Sequence, residues 1–134
     1  MISKIRAYFI DNFDRLDVNS VLSVDYLTDR ATSYSLEAGI ADPWIRRYTD
    51  GGGIKQYNFN FTSREEYGPD TLQNMDNLNF YTYLTDRIEE LNRQHIVPDV
   101  PGAARVEVLT NGYIMDTSPD AAKYQVQLRL VYTV

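Results

Sequence analysis

The sequence predicts a single α+β domain, with one mixed, mainly antiparallel sheet covered by two helices in the order α-β-β-β-α-β-β. Three observations lead to this fold class. The chain has 134 residues, which is the length of one domain, so we expect residues 1–134 to share one core. Two segments carry apolar residues at helical spacing, and several others alternate apolar and polar residues as half-buried strands do.

The composition is that of a folded protein, and it argues against several functional classes. Hydrophobic residues make up 43% and charged residues 24% of the chain. No apolar run approaches the roughly 20 residues of a membrane-spanning helix, so no membrane association is predicted. There is no cysteine, which excludes disulfides, thiol nucleophiles and thiolate metal sites. A net charge of -6 disfavours binding to phosphate backbones, and no sequence-specific nucleic-acid binding is expected.

The first helix is predicted over Met1 to Phe13, with Ser3 as its cap. Its apolar residues recur at spacings of three and four on one face: Ile2, Ile5, Phe9 and Phe13. Three acidic residues, Asp11, Asp14 and Asp17, follow at spacings of three. We interpret them as a solvated face, because a metal site would need more ligands.

A pair of strands is predicted next, over 21–27 and 32–37. The clearest strand of the first half covers residues 54–62. Its aromatic residues, Tyr57, Phe59 and Phe61, alternate with Gln56, Asn58 and Asn60, which only a strand with one buried face explains.

The glycine triplet before that strand predicts a mobile hairpin tip made of Asp50, Gly51, Gly52 and Gly53. A phosphate-binding loop is the alternative interpretation. We reject it because no Gly-Lys-Ser/Thr follows and Lys55 begins a strand instead of a helix.

The longest element is a helix predicted from Thr71 to about His95, with Asp70 as N-cap and Gln73 as its capping-box partner. The buried stripe of this helix is Phe80, Leu84, Ile88, Leu91 and His95.

Three apolar residues, Leu72, Met75 and Leu78, lie off that stripe. Either the regular helix begins later, near Asn77, or its first turns cover a second surface.

The last third of the chain is predicted to be β-structure. A strand over 104–110 leads to Asn111-Gly112, which is a strong hairpin signal, and residues 113–115 return from it. The final run, 124–134, alternates without a break. At about 3.3 Å per residue it would span roughly 35 Å, so it should either run beyond the domain body or lie centrally in a large sheet.

The sequence offers no constellation for catalysis, and we expect no enzyme, no catalytic residue, no cofactor and no metal. His95 is the only histidine, and its place near a helix C-terminus favours a capping or core role. The adjacent acids Glu65-Glu66 and Glu89-Glu90 are better explained by surface salt bridges than by acid-base chemistry.

Several short motifs together resemble a known family. They are Phe61-Thr62-Ser63-Arg64-Glu65, Tyr67-Gly68-Pro69-Asp70, Asn74, Asn77, Phe80, Pro98, Leu109-Thr110-Asn111-Gly112-Tyr113 and residues 122–132. The run from 54 to 132 resembles the tail terminator proteins, also called minor capsid or tail completion proteins, of tailed bacteriophages and of prophages in Gram-positive bacteria. One departure is Arg87, where relatives often carry an aromatic residue.

The resemblance implies a structural virion protein without a cofactor. Such proteins form a homo-oligomeric ring, typically a hexamer, that closes the end of the tail tube once the tail has reached its length. The implied partners are other copies of the chain, the tail tube protein and the head-closure or connector protein. The implied location is the head-proximal end of the tail in the virion, after synthesis in the cytoplasm of the bacterial host.

Residues for the contact between subunits can be predicted from the leftover apolar positions. Leu72, Met75 and Leu78 would form one side of a heterologous contact. The other side would be the run from 44 to 48, because Trp, Tyr and Arg are common interface anchors; its members here are Trp44, Arg46, Arg47 and Tyr48. The competing account places Leu72 to Leu78 in the core of the chain itself.

Two other function classes are kept as alternatives. The first is a soluble, non-enzymatic binding or adaptor domain, with a cleft over the sheet near Trp44 and Tyr48. The second is an enzyme with unrecognised chemistry.

Overall fold

The computed structural model of the protein describes residues 1–13, 22–24, 33–66, 71–117 and 121–134. The elements in chain order are α1 (Ile2–Asn12), β1 (Leu22–Val24), β2 (Ser33–Ala38), β3 (Trp44–Arg47), β4 (Gly53–Glu66), α2 (Thr71–Arg93), β5 (Ala103–Val108), β6 (Tyr113–Thr117) and β7 (Ala121–Thr133). The α+β class and the predicted order are confirmed. The short strand β3 is present in addition, and residues 113–115, which were predicted to return from a hairpin, lie in β6.

Two long strands, β4 and β7, form the centre of a seven-stranded sheet. They pair antiparallel without a register shift from Ile54 opposite Thr133 to Glu66 opposite Ala121. Strands β2 and β3 lie along the other edge of β4, and β5 and β6 lie along the other edge of β7. Outside β2, strand β1 pairs in parallel, which makes the sheet mixed as predicted. The final strand is therefore long because it is central.

An aromatic core lies between the two helices and one face of the sheet. Phe9 of α1 contacts Phe61 of β4 with ring centroids 5.5 Å apart, and Phe61 lies 6.1 Å from Phe80 of α2. Strand β7 contributes every second residue to this core: Tyr124, Val126, Leu128 and Leu130. The alternation predicted for β4 and β7 is thus confirmed, because this face is apolar and covered.

Helix α1 begins two residues earlier than a cap at Ser3 requires. Met1 is the N-cap, its carbonyl oxygen accepts the amide of Ile5 at 3.2 Å, and no side chain caps the helix. Ser3 lies inside the first turn and is exposed, so the prediction of a Ser3 cap was wrong. The predicted buried stripe is confirmed at Ile5, Phe9 and Phe13.

Helix α2 is regular from Thr71 onward, so the alternative in which it begins near Asn77 was wrong. The predicted cap, Asp70, lies outside the described residues. The stripe Phe80, Leu84, Ile88 and Leu91 is buried as predicted. Arg87 donates from Nε to the carbonyl oxygen of Asn12 at 3.1 Å and ties α2 to the end of α1.

His95 ends α2 through its backbone instead of joining the buried stripe. Its φ is 58°, and its amide donates to the carbonyl oxygen of Asn92 at 3.1 Å. The amide of Ile96 donates to the carbonyl oxygen of Leu91 at 2.9 Å. This is a Schellman motif with His95 at the left-handed position. The chain turns away there, so the side chain is exposed and its placement in the core was wrong, whereas the capping role is correct.

The hairpin predicted at Asn111-Gly112 is not formed. Strands β5 and β6 both run antiparallel to β7, one after the other along the same edge, and residues 109–112 connect them. The glycine serves a close approach instead: a Cβ at Gly112 would lie 2.5 Å from Cβ and Cγ of Tyr81. Packing of α2 against this connection therefore decides the local structure.

The opposite face of the sheet is polar and joined by side-chain hydrogen bonds. Lys123 of β7 pairs with Glu37 of β2 at 3.2 Å, across the buried Thr62 of β4. Further along, Glu107 of β5 accepts from Arg105 at 2.7 Å and from Arg129. Burial disfavours the charge of Glu107, but these donors outweigh it and lower its pKa.

Candidate subunit interface

The first half of the predicted interface is the hairpin formed by β3 and the start of β4. Trp44 pairs with Lys55, Arg46 with Ile54 and Arg47 with Gly53, with a bulge at Ile45. We call residues 44–55 the β3 hairpin. All of Ile45, Arg46, Arg47 and Tyr48 are exposed, and Trp44 is half-buried.

The glycine tip of this hairpin is closed by local hydrogen bonds. The amide of Tyr48 donates to the carbonyl oxygen of Gly52 at 2.8 Å, and the amide of Gly52 donates to Oδ1 of Asp50 at 2.9 Å. Gly51 has a φ of 91°, which few other residues adopt without strain. Mobility of the tip remains a prediction.

Gly53 belongs to strand β4 and is buried, so only Asp50, Gly51 and Gly52 of the predicted mobile loop lie outside the strands. A Cβ at Gly53 would lie 2.2 Å from the carbonyl oxygen of Arg46 and 3.0 Å from Cζ3 of Trp44. The absence of a side chain here lets the Trp44 ring and the backbone of β3 lie close to β4.

Cations stack on the aromatic rings of the β3 hairpin. The guanidinium of Arg47 lies 4.6 Å and Nζ of Lys55 lies 5.0 Å from the ring of Trp44, and the guanidinium of Arg46 lies 5.7 Å from the ring of Tyr48. Contacts of this kind contribute about 0.5 to 1 kcal/mol each at exposed sites. They favour positions of the basic groups over the rings.

Trp44, with Arg47 and Lys55 stacked on its ring, continues the helix-covered face of the sheet past the end of the core, whereas Arg46 and Tyr48 lie on the other face of the hairpin. On β4 that face carries Phe59, which is fully buried, then Tyr57, which is partly buried, and then Lys55 beneath Trp44. Side chains two residues apart on a strand point to the same side. Trp44 therefore lies where the apolar face emerges from under the helices.

The second half of the predicted interface lies on the outward side of α2. Met75 is 53% and Leu78 is 45% exposed, while Asn77 and Phe80 of the same turns are buried. Met75 and Leu78 therefore do not belong to the chain's own core, and the account that tucks them there was wrong. Leu72 lies in the first turn of α2, but its side chain is outside what the structure describes.

The two halves lie at opposite ends of the sheet. The first half of α2 lies over the row of Ser63: Nδ2 of Asn77 donates to the hydroxyl of Tyr124 at 3.4 Å, and Tyr124 pairs with Ser63 of β4. Near its C-terminus, Asn92 bonds to Val106, which is in the same row of the sheet as Tyr57. Along β4, Ser63 and Lys55 are eight residues apart, about 26 Å at about 3.3 Å per residue. Met75 and Trp44 of one chain cannot touch.

Two residues of the β3 hairpin surface, Lys55 and Ile45, were not predicted from the sequence. Lys55 was noted only as the start of a strand, and its position opposite Trp44 depends on the hairpin register. Ile45 was not among the predicted interface residues, and the bulge between Trp44 and Arg46 leaves it 43% exposed. A bulge has little signal in a single sequence.

The residues considered for catalysis do not form a site. His95 is exposed at the end of α2, whereas Glu65 lies on the helix-covered face of β4 and is only 7% exposed. The predicted surface position of Glu65 was therefore wrong, because strand alternation turns its side chain inward. The predicted surface salt bridge is confirmed for Glu90, which accepts from Arg93 at 2.7 Å.

The described part of the chain contains neither a cluster of metal ligands nor a membrane-spanning helix. No group of three or more histidine or acidic side chains could hold a metal ion, and Asp14 and Asp17 of the predicted acidic run lie outside that part. No helix in it is both long and apolar enough to cross a membrane.

Comparison with known proteins adds no identity. The chain matches no model of a protein family, and no curated protein is significantly similar to it.

Proposed function

We propose that the protein is a tail terminator of a tailed phage or prophage. In this role it forms a ring of identical subunits that caps the end of the tail tube and presents the joining surface for the head connector. The sequence motifs between residues 54 and 132 suggest the family. The main structural support for a ring is that two exposed patches, around Trp44 and around Met75, lie at opposite ends of one sheet.

Patches at opposite ends suit a ring better than a two-fold dimer. A ring needs a heterologous contact, in which one surface of a subunit meets a different surface of the next. The Trp44 patch of one copy and the Met75 patch of its neighbour would supply these two surfaces. Buried aromatic and arginine anchors contribute about 2 kcal/mol or more each at the centre of an interface.

The assembly is tested by sedimentation of the intact protein over a range of concentrations, alone and with polymerised tail tube protein. We expect a defined multiple of the 15.5 kDa chain, with six copies giving about 93 kDa. Met75→Asp and Trp44→Ala should each lower the assembled fraction and leave the melting temperature within a few degrees of the wild type.

The matched control is Ile40→Asp, because Ile40 is also apolar and fully exposed but lies between β2 and β3. It should leave assembly unchanged. A wild-type protein that stays monomeric at every concentration, with and without tail tubes, would contradict the ring and favour a monomeric binding domain.

The role in the tail is tested by deleting the gene and imaging the particles by electron microscopy. We expect tails of irregular length that are not joined to heads. Complementation with a Trp44→Ala gene should not restore normal particles, whereas Ile40→Asp should. Tails of normal length, joined to heads, in the deletion strain would show that the protein has another function.

A further inference from the structure

Strands β3 and β6 each leave one edge without a strand partner among the described residues. Strand β3 pairs only with β4, and β6 pairs only with β7, on opposite sides of the sheet. The edge of β6 lies at the Met75 end, because Asn77 bonds to Tyr124 and Tyr124 pairs with Ile114 of β6. Backbone groups on an open edge are available to pair with another chain.

The register shows which backbone groups of β6 point outward. Residues of an antiparallel strand alternate between those that bond to the partner strand and those that point away from it. The amide of Leu109 donates to the carbonyl oxygen of Gln127 at 2.8 Å, so odd-numbered residues of β7 bond to this side. Ile114 lies opposite the even-numbered Tyr124, and its N–H and C=O groups therefore point outward. Thr117, beyond the bulge, also lies opposite an even-numbered residue and points outward.

The same argument identifies the outward groups of β3. The amide of Gln56 donates to the carbonyl oxygen of Pro43 at 2.8 Å, so even-numbered residues of β4 bond to this side. Trp44 and Arg47 both lie opposite odd-numbered residues of β4. Their backbone groups therefore point outward.

The outward residues of the two strands match in spacing. Two residues separate Trp44 from Arg47, and two separate Ile114 from Thr117, because each strand has a bulge at this place. In an antiparallel arrangement, Arg47 can lie opposite Ile114 while Trp44 lies opposite Thr117. No other register pairs all four. Their side chains all lie on the helix-covered face of the sheet, and directly opposite residues must share a face.

The backbone groups of the first of these two pairs are available. No described residue bonds to the outward N–H or C=O groups of Arg47 or of Ile114. In the second pair, a neighbouring aspartate holds the amide of Trp44 and that of Thr117, each at 2.9 Å. Arg47 and Ile114 are therefore the residues that can exchange two hydrogen bonds with another strand.

The side chains around the two edges also suit each other. Ile114 is 40% exposed and Trp44 is half-buried. In this register they are diagonal neighbours, about 7 to 8 Å apart, a distance that an aromatic side chain can bridge. The charged residues of β3 are Arg46 and Arg47, and that of β6 is Asp116, so like charges do not meet.

Strand β5, on the same side of the sheet as β6, has a protected edge. Nδ2 of Asn92 donates to the carbonyl oxygen of Val106 at 2.7 Å, and Oδ1 of Asn92 accepts from the amide of Val106 at 3.2 Å. A side chain of α2 thus occupies the outward groups in the middle of β5. Covering of this kind prevents an edge from pairing with another chain, so β6 is the open edge on this side.

We propose that β3 of one copy pairs with β6 of the next copy, with Arg47 opposite Ile114, so that the sheet continues from subunit to subunit. The inference rests on the proposed ring and names the strands that join its subunits. Strand β3 runs in the direction of β7, and β6 runs in the direction of β4. Two copies with their helices on the same side therefore pair these edges antiparallel. Because the two edges differ, the contact is heterologous, as a ring requires.

The test uses introduced cysteines, since the chain has none of its own. The variant with Arg47→Cys and Ile114→Cys is oxidised where the wild type assembles and is then denatured without reductant. Opposite residues in a bonded antiparallel pair have Cα atoms about 5.5 Å apart, within the range of a disulfide. We expect a ladder of covalent oligomers up to the complete ring.

A disulfide within one chain cannot explain such a ladder. Arg47 lies in the row of Gly53 and Ile114 in the row of Ser63. These rows are about 33 Å apart along β4, at about 3.3 Å per residue. Any disulfide between the two cysteines therefore joins different copies.

The matched control is Arg47→Cys with Ala104→Cys, because Ala104 is an exposed residue of the protected strand β5. This control should give no ladder, and each single variant should give no covalent oligomer. A ladder from the control would place the contact at β5 and overturn the proposal. Dimers from Ile114→Cys alone would show two β6 edges paired with each other, which would also overturn it.

Hydrogen exchange tests the same contact in the wild type. The amides of Arg47 and Ile114 are open in the single chain and should exchange about tenfold or more slowly once the protein assembles. The amide of Ile40, a fully exposed residue between β2 and β3, is the control and should exchange at the same rate in both states. This measurement requires no variant to fold or assemble.

The outcomes separate the two proposals. If the wild type assembles but the amides of Arg47 and Ile114 exchange as fast as in the monomer, the strand pairing is wrong and the ring stands. An assembled double-cysteine variant that forms no ladder would also overturn the pairing; if that variant does not assemble, exchange in the wild type decides. A wild type that never assembles, even on tail tubes, overturns both the ring and the pairing.

Discussion

Gly112 packs directly on the side chain of Tyr81. A Cβ at residue 112 would lie 2.5 Å from Cβ and Cγ of that tyrosine, closer than real Cβ contacts come. The connection between β5 and β6 therefore fits against α2 only because residue 112 has no side chain.

Gly112→Ala should accordingly destabilise the protein by about 1 to 3 kcal/mol, the usual cost of overpacking. Urea unfolding would measure the loss. Asn111→Ala is the control and should change stability by less than about 0.5 kcal/mol, because Asn111 is exposed and lacks the positive φ of a tight hairpin. An equal loss in both variants would instead support a hairpin turn at this place.

The hydroxyl groups of Ser63 and Tyr81 form a hydrogen bond inside the core, 2.6 Å between oxygens. Burial, before any other cause, raises the pKa of Tyr81 well above its ordinary value, so the phenol is neutral. Ser63→Ala or Tyr81→Phe alone removes one partner of this bond and leaves the other hydroxyl buried. Each change should therefore lower the free energy of unfolding by about 1 to 3 kcal/mol. The double variant should cost less than the sum of the two, and strictly additive losses in a double-mutant cycle would contradict the bond.

His95→Gly should stabilise the protein. The left-handed conformation at residue 95 costs a non-glycine residue about 1 to 2 kcal/mol, and the greater freedom of glycine in the unfolded chain offsets part of that gain. We expect a net gain of about 0.5 to 1 kcal/mol in thermal or urea unfolding. His95→Ala keeps the strained backbone and should bring no gain. If both variants lose stability, the imidazole itself contributes.

Glu107→Gln should lower stability at neutral pH by about 1 kcal/mol, because the charged bonds from Arg105 and Arg129 become weaker. The pKa of Glu107 is lower in the folded than in the unfolded protein, so its carboxylate stabilises the fold above the unfolded pKa of about 4.5. That contribution disappears as the pH falls through the folded pKa. The difference between wild type and variant should therefore shrink below about pH 4.5, whereas a constant difference from pH 7 to pH 3 would contradict this role. Glu89→Gln, on an exposed helix face, is the control.

The helices and strands could be predicted because the spacing of apolar residues along the chain shows which side of each element is buried. In β4, the alternation of Phe59 and Phe61 with Asn58 and Asn60 requires a strand covered on one side. In α2, Leu84, Ile88 and Leu91 recur at helical spacing, and their burial follows from that spacing alone. The leftover position of Met75 followed from the same geometry, and its exposure agrees with it.

Contacts between distant segments decided the rest. Gly112 is constrained by Tyr81, and Glu65 by the helices that cover its face of β4. Turn signals such as Asn-Gly report what a short peptide prefers, and packing outweighs a preference of about 1 kcal/mol. The stack of Arg47 and Lys55 on Trp44 likewise depends on a hairpin register that includes a bulge, and the distance from Trp44 to Met75 depends on how α2 lies across the sheet. These relations join residues far apart in the chain, so they exist only in the folded protein.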